Sequence, residues 1–292
     1  MTHHPATLDR RTMLAAGIAA PLVATCGRAE DAQNKMAFGL VTYMWGADWK
    51  LPTLLDACRR AGVLGVELRT THAHGVEPGL NRQQRADVRK RFEDSPVELV
   101  GVGSNERFDN PDKATLRKAI DATKRFVELS HDVGGSGVKV KPDRFHKGVP
   151  REKTIEQIGE SLNEVGEFAA GFGQQIRLEV HGQCAEIPTI AAILKIANHP
   201  NVAICWNSNA QDLRPPGLEA NFKRLRPRFG STLHVRELDN RQYPFPRLLE
   251  LLIASDYAGW VMLEGTKFPK ETPSRIEALA RQKRLFDQLT GE

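Results

Sequence analysis

Long apolar runs, cysteine frameworks, charge blocks and glycine-rich phosphate turns are all scarce in this 292-residue chain. The longest uncharged apolar stretch, residues 12–27, falls short of the ~20 residues needed to cross a bilayer, so no transmembrane segment is expected in the mature chain. Four cysteines are present. Setting aside Cys26 leaves Cys58, Cys184 and Cys205, an odd set without metal-finger spacing, which argues against a disulfide framework. The net charge is +5, but no run of five or more like charges occurs, so a nucleic-acid partner is not expected. The first strand candidate runs into Thr42-Tyr43-Met44-Trp45, with no glycine-rich turn of the dinucleotide-binding type.

What the chain does have is 40% hydrophobic residues, enough for one core of barrel size. Its first 35 residues read as a leader. Asp9-Arg10-Arg11-Thr12-Met13-Leu14 precedes an alanine-rich stretch, the pattern of a twin-arginine export signal, which predicts a periplasmic protein. Cys26 after Val23-Ala24-Thr25 loosely matches a lipoprotein attachment site.

Residues 36–292 repeat one unit eight times: a short apolar run, then a charged amphipathic segment. Strands are expected at 38–43, 65–70, 98–103, 137–141, 176–181, 202–207, 232–236 and 260–264, most of them rich in β-branched residues. Helices are expected at 51–61, 113–130, 154–170, 188–198, 218–226, 246–255 and 273–289. Eight βα units of this length predict a single-domain α/β fold, the (β/α)8 TIM barrel.

The active site of such a barrel forms where the strands end. Strands five to eight end with Glu179, Asn207, His234 and Glu264 at one level. Two carboxylates, an imidazole and an amide oxygen suit one divalent ion, Mn2+, Mg2+, Co2+ or Zn2+. Glu67 and Arg69 share a face of strand two, with His72 and His74 in the loop beyond. Lys139 and Lys141 share a face of strand four, and an inward lysine needs an anion beside it. Tyr43, Trp45 and Trp206 are candidates for a wall on which a sugar ring stacks.

In these strand ends the sequence resembles the sugar isomerase/epimerase superfamily of xylose isomerase-like barrels, from Ala37 to the C-terminus. The resemblance implies that Glu179, Asn207, His234 and Glu264 hold one metal, and His234-Val235-Arg236 matches the family's His-x-Lys/Arg. One departure stands out: where the family often has Asp-x-x-His, this chain has Asn207-Ser208-Asn209-Ala210. Asn207 still offers an oxygen, with one negative charge fewer.

The implied chemistry is proton transfer next to a sugar carbonyl, through an enediolate, with Glu179 and Glu264 as the paired catalytic carboxylates. His181, Arg236, Lys139, Glu67, His72 and Trp206 are the expected contacts to a small sugar-like substrate. A lyase or dehydratase that expels a β-substituent from the same enolate is the runner-up. A non-catalytic sugar-binding barrel is a further alternative, and association of identical copies is left open. The family's abasic-site endonuclease needs a three-metal cluster, for which Asn207, Ala210 and strand seven lack the ligands.

Overall fold

A computed structural model describes residues 36–291. The leader segment and Cys26 lie outside them.

Eight strands alternate with eight helices: β1 (Ala37–Val41), α1 (Leu51–Ala61), β2 (Gly65–Arg69), α2 (Arg82–Glu93), β3 (Glu98–Arg107), α3 (Lys113–Asp132), β4 (Gly137–Lys141), α4 (Arg151–Ala170), β5 (Gln175–Glu179), α5 (Ile187–Ile196), β6 (Val202–Cys205), α6 (Leu218–Leu225), β7 (Thr232–Val235), α7 (Phe245–Ala254), β8 (Trp260–Leu263) and α8 (Thr272–Thr290). All strand pairs are parallel, in the order β6-β5-β4-β3-β2-β1-β8-β7. The remaining seam, between β6 and β7, is joined by two isolated bridges, Ile204 to Phe229 and Asn207 to His234. The expected TIM barrel is the observed fold.

Local chemistry sets the helix limits. Pro52 stands in the first turn of α1, and Gly62 ends it in the left-handed conformation, which a residue without Cβ adopts freely. The Asp112 side chain caps α3 by accepting from Thr115 N. Along α4, Ile158, Leu162, Val165 and Ala169 form one buried stripe against the sheet. Each fully buried large aliphatic residue of this kind contributes roughly 1.5–3 kcal/mol.

Three sequence expectations need correction. α2 was not anticipated, because only Val88 and Phe92 of its twelve residues are buried and its apolar stripe is too thin to see. A capping box, in which Asn81 and Gln84 exchange hydrogen bonds, marks its start instead. β3 runs four residues beyond its expected end, to Arg107. Conversely β5 to β8 stop earlier than expected, so Asn207 and Glu264 stand just past their strands.

Candidate active site

Strand alternation decides which side chains enter the barrel. On β5 the inward set is Arg177 and Glu179, on β4 Lys139 and Lys141, and on β2 Glu67. His234 enters from β7, and Asn207 and Glu264 follow the ends of β6 and β8. All of these are buried.

Glu179, His234 and Glu264 each place a donor atom within 4.8 Å of the other two, so a buried Glu/His/Glu group able to hold a metal is present. His234 Nδ1 lies 3.5 Å from Glu264 Oε2 and 3.8 Å from Glu179 Oε1. The other ring nitrogen, Nε2, faces the Glu67 carboxylate at 3.3 Å. A carboxylate on one edge of an imidazole fixes the ring and leaves the opposite edge as the donor. Glu67 thus serves His234 in this arrangement, on the side away from Glu264.

Asn207 joins the cluster through its amide. Its Nδ2 donates to Glu179 Oε1 at 2.9 Å. Its Oδ1 is buried without a hydrogen-bond partner, as is His234 Nδ1. A buried polar atom left unpaired costs about 1–3 kcal/mol, and a cation between the two carboxylates would satisfy both atoms. The residues present therefore fit a divalent ion.

Lys139 Nζ donates to Glu179 Oε2 at 2.6 Å, with both side chains sealed from solvent. Burial alone would push the Lys139 ammonium down, yet the Glu179, Glu264 and Glu67 carboxylates outweigh it and raise it. Burial likewise opposes ionisation of Glu179, but Lys139 and His234 hold it well below the usual carboxylate range. At His234 burial is overcome by the Cys205 sulfur and by Glu67 and Glu264, which raise the imidazole well above its ordinary value. The carboxylates that raise these two cations would equally attract a dication, whose binding would displace the proton from His234 Nδ1.

Residues 55–285 match the model of the xylose isomerase-like TIM barrel family. The chain belongs to that family. No curated protein matches it. Its fold is similar to that of solved structures at low identity. D-psicose 3-epimerase, solved in the presence of D-fructose, shares 15% identity with a TM-score of 0.75, covering 88% of this chain and 100% of its own. The 3-keto-D-glucoside 4-epimerase YcjR from E. coli, in its apo form, shares 14% with a TM-score of 0.70, covering 85% and 99%. The IolI protein with a bound zinc atom shares 17% with a TM-score of 0.69, covering 88% and 98%.

Around the cluster, this xylose isomerase-like barrel arranges the other expected residues unevenly. His181 follows β5 with 37% of its side chain exposed, and its Nδ1 lies 3.2 Å from Asp143 Oδ1. Burial pushes its imidazole down despite the nearby Glu179. Arg236 is half-buried and donates from Nη1 to the Glu264 backbone oxygen at 2.8 Å, tying the end of β7 to that of β8. His72 is half-buried in the loop after β2, with Nδ1 3.0 Å from Thr42 Oγ1. Burial, Arg69 and His74 push it down to about 4, so it is neutral at pH 7.

Trp206 is a correction. Cys205 and Asn207 face inward, so alternation turns Trp206 outward, into the layer between the barrel wall and the helices. Its ring packs against Phe222 and Phe229 and is fully buried, out of reach of a sugar. Trp45 is buried too, tilted on Phe268 with Nε1 3.4 Å from Glu237 Oε1. The expected aromatic wall is not formed by these two rings.

Arg177 went unnoticed in the sequence. It is buried inside the barrel, donating to Gln175 Oε1, Val100 O and Ser136 Oγ. A Cβ on Gly101 would come within 2.7 Å of its Nη1, so the glycine makes room for the guanidinium. Asp143 was missed as well. Its backbone is left-handed at φ 61°, and Arg107 Nε lies 3.2 Å from its Oδ2.

Asp212, also outside the sequence reading, carries a pH effect. It accepts from Tyr243 Oη and Asn209 N, both at 2.9 Å, while its Oδ1 has no partner. Burial raises it from 3.8 to about 7. Between those values the folded chain holds a proton that the unfolded chain has released, so stability falls as pH rises, and the loss persists above pH 7. At 1.36 kcal/mol per unit the ceiling is roughly 4 kcal/mol. Asp212→Asn is expected to flatten this fall. Urea unfolding at pH 4.5 and pH 8 checks it: the same pH difference in both proteins would dismiss the assignment.

Proposed function

We propose that this protein is a divalent-metal-dependent sugar isomerase or epimerase acting on a keto-sugar or related polyol. The observation that carries the reading is the pair of orphaned buried atoms, Asn207 Oδ1 and His234 Nδ1, set among the Glu179 and Glu264 carboxylates. Glu179, Asn207, His234 and Glu264 would hold the ion, as Mn2+, Mg2+, Co2+ or Zn2+. When bound, it would polarise the sugar carbonyl and stabilise the negative charge of an enediolate. Both epimerases named above, and the zinc in IolI, support the reading by likeness of fold.

The chain's own residues divide the proton work. No donor among the described residues hydrogen-bonds the Glu264 carboxylate, whose near neighbour is His234 Nδ1. Glu179, by contrast, has Oε2 occupied by the Lys139 ammonium, which holds it ionised. Glu264 therefore removes the C–H proton next to the carbonyl, and Glu179 serves the opposite face. His181, two residues beyond Glu179 and partly exposed, would hold a substrate hydroxyl. A second reading is a lyase, in which the His181 imidazole, once protonated, would give its proton to a departing β-hydroxyl; Asp143, 3.2 Å away, would support that protonated form against burial.

Solvent deuterium uptake at carbon, screened over keto-sugars with metal-replete protein, tests the function. Isomerase chemistry yields a deuterated isomer, whereas a lyase yields a dehydrated product. No exchange with any keto-sugar would overturn both. Metal titration of stripped Asn207→Asp protein probes the ligand set, since an added charge beside a dication should tighten binding by about tenfold or more. Equal affinities would remove Asn207 from it.

A further inference from the structure

Beside the barrel mouth lies a cavity of about 670 Å³, between the extended end of β3, one face of α3 and the loop after β4. Its position follows from the register. Arg107, the last residue of β3, pairs with Lys141 of β4, and Lys141 Nζ stands 4.0 Å from Glu179 Oε2. Asp143 lies between Arg107 and His181, 3.2 Å from each. Arg107 and Arg144, which line the cavity, are thus linked through Asp143 to His181 at the Glu179 end of the site.

Its lining has two characters. Ala119 and Ala122 on α3 are small and apolar, and form the floor between the charged side chains. Lys118 and Arg125, seven residues apart on the same helix, flank that floor as neighbours two turns apart. The remaining cations of the lining have anions already. Arg107 and Arg144 share Asp143, at 3.2 and 3.4 Å, and His146 lies 3.0 Å from Asp109. Lys118 and Arg125 have no ion-pair partner within 4 Å among the described residues. Glu106 completes the lining, and its carboxyl is raised by burial even though Arg125 and Arg107 pull the other way.

We propose that this cavity is a subsite for a carboxylate-bearing sugar unit, with the carboxylate on Lys118 and Arg125, the ring on Ala119 and Ala122, and hydroxyls on Glu106. The substrate class is then an acidic sugar or a glycoside with a uronic-acid unit. This rests on the isomerase reading for the reacting end of the molecule. Lys118 and Arg125, free of close ion pairs among the described residues, have side chains long enough to reach one carboxylate from both ends of the floor. A phosphate dianion is less suited, because Glu106 and Asp109 stand in the same lining and repel the second charge.

Calorimetric titration of the full, metal-replete chain with D-glucuronate, D-glucose and D-glucose 6-phosphate tests it. The variant is Lys118→Gln with Arg125→Gln; both side chains are exposed, so folding is expected to be undisturbed and is checked by thermal unfolding. Wild-type protein should bind glucuronate about tenfold more tightly than glucose, and the double variant should lose that preference while its glucose affinity stays put. Equal glucuronate affinity in the two proteins, or no binding of glucuronate, overturns the subsite. Tighter binding of the phosphate overturns the carboxylate assignment. Keto-sugar turnover is read on the same samples. Glucuronate preference without turnover condemns the isomerase reading alone, and turnover without that preference condemns the subsite alone.

Discussion

Glu264→Gln is expected to lower kcat/KM for a keto-sugar substrate by about two to four orders of magnitude, the range that general-base catalysis supplies. The amide keeps the shape of the side chain but cannot take a proton, and it offers a weaker ligand. Bound metal should therefore fall below one ion per chain. No donor among the described residues hydrogen-bonds the Glu264 carboxylate, but its charge helps hold the buried Lys139 and His234 cations, so the melting temperature of the metal-free protein should fall, by less than in the Lys139→Met variant. Turnover, elemental analysis and thermal unfolding check the three parts. Turnover within tenfold of wild type would remove Glu264 from the catalytic role. Glu179→Gln should reduce turnover comparably but also disturb the fold, since Lys139 would lose its partner.

That dependence gives the second large effect. Lys139→Met breaks a sealed ion pair and leaves the Glu179 carboxylate without its nearest, directly hydrogen-bonded cation. Removing one partner of such a pair costs about 3–5 kcal/mol. For a barrel of this size the loss corresponds to a fall in Tm on the order of 10 °C. Adding Glu179→Gln to Lys139→Met removes the stranded charge, so the double variant should melt well above the single one. Differential scanning calorimetry with chelator present makes the comparison. If the single variant melts with wild type, the pair contributes nothing and Lys139 is free for substrate.

The barrel was legible because strand and helix periods alternate cleanly from Ala37 onward, and buried parallel strands are rich in β-branched residues. The polar strand ends stood out for the same reason: Glu179, His234 and Glu264 interrupt apolar runs. Trp206 was misread by residue type, although its place between Cys205 and Asn207 already turned it outward. Arg177 was hidden by the opposite habit. A charged residue within a strand suggests an exposed face, and only the glycines on neighbouring strands hint that a large side chain needs their space. α2 was invisible because two buried residues make no stripe. Asp143 was invisible because its role depends on Arg107 and His181, which approach it only after folding.

The β6–β7 seam closes the barrel with isolated bridges in place of a ladder, and one bridge joins Asn207 to His234. Two of the four candidate ligands are therefore the facing residues of the barrel's loosest joint. An ion gripped by both would act as a rivet there, and its departure would let that joint breathe before any other. Amide exchange at Ser208 and His234, whose backbone N–H groups cross the seam to His234 O and Trp206 O, would then report metal occupancy from within the wall of the barrel itself.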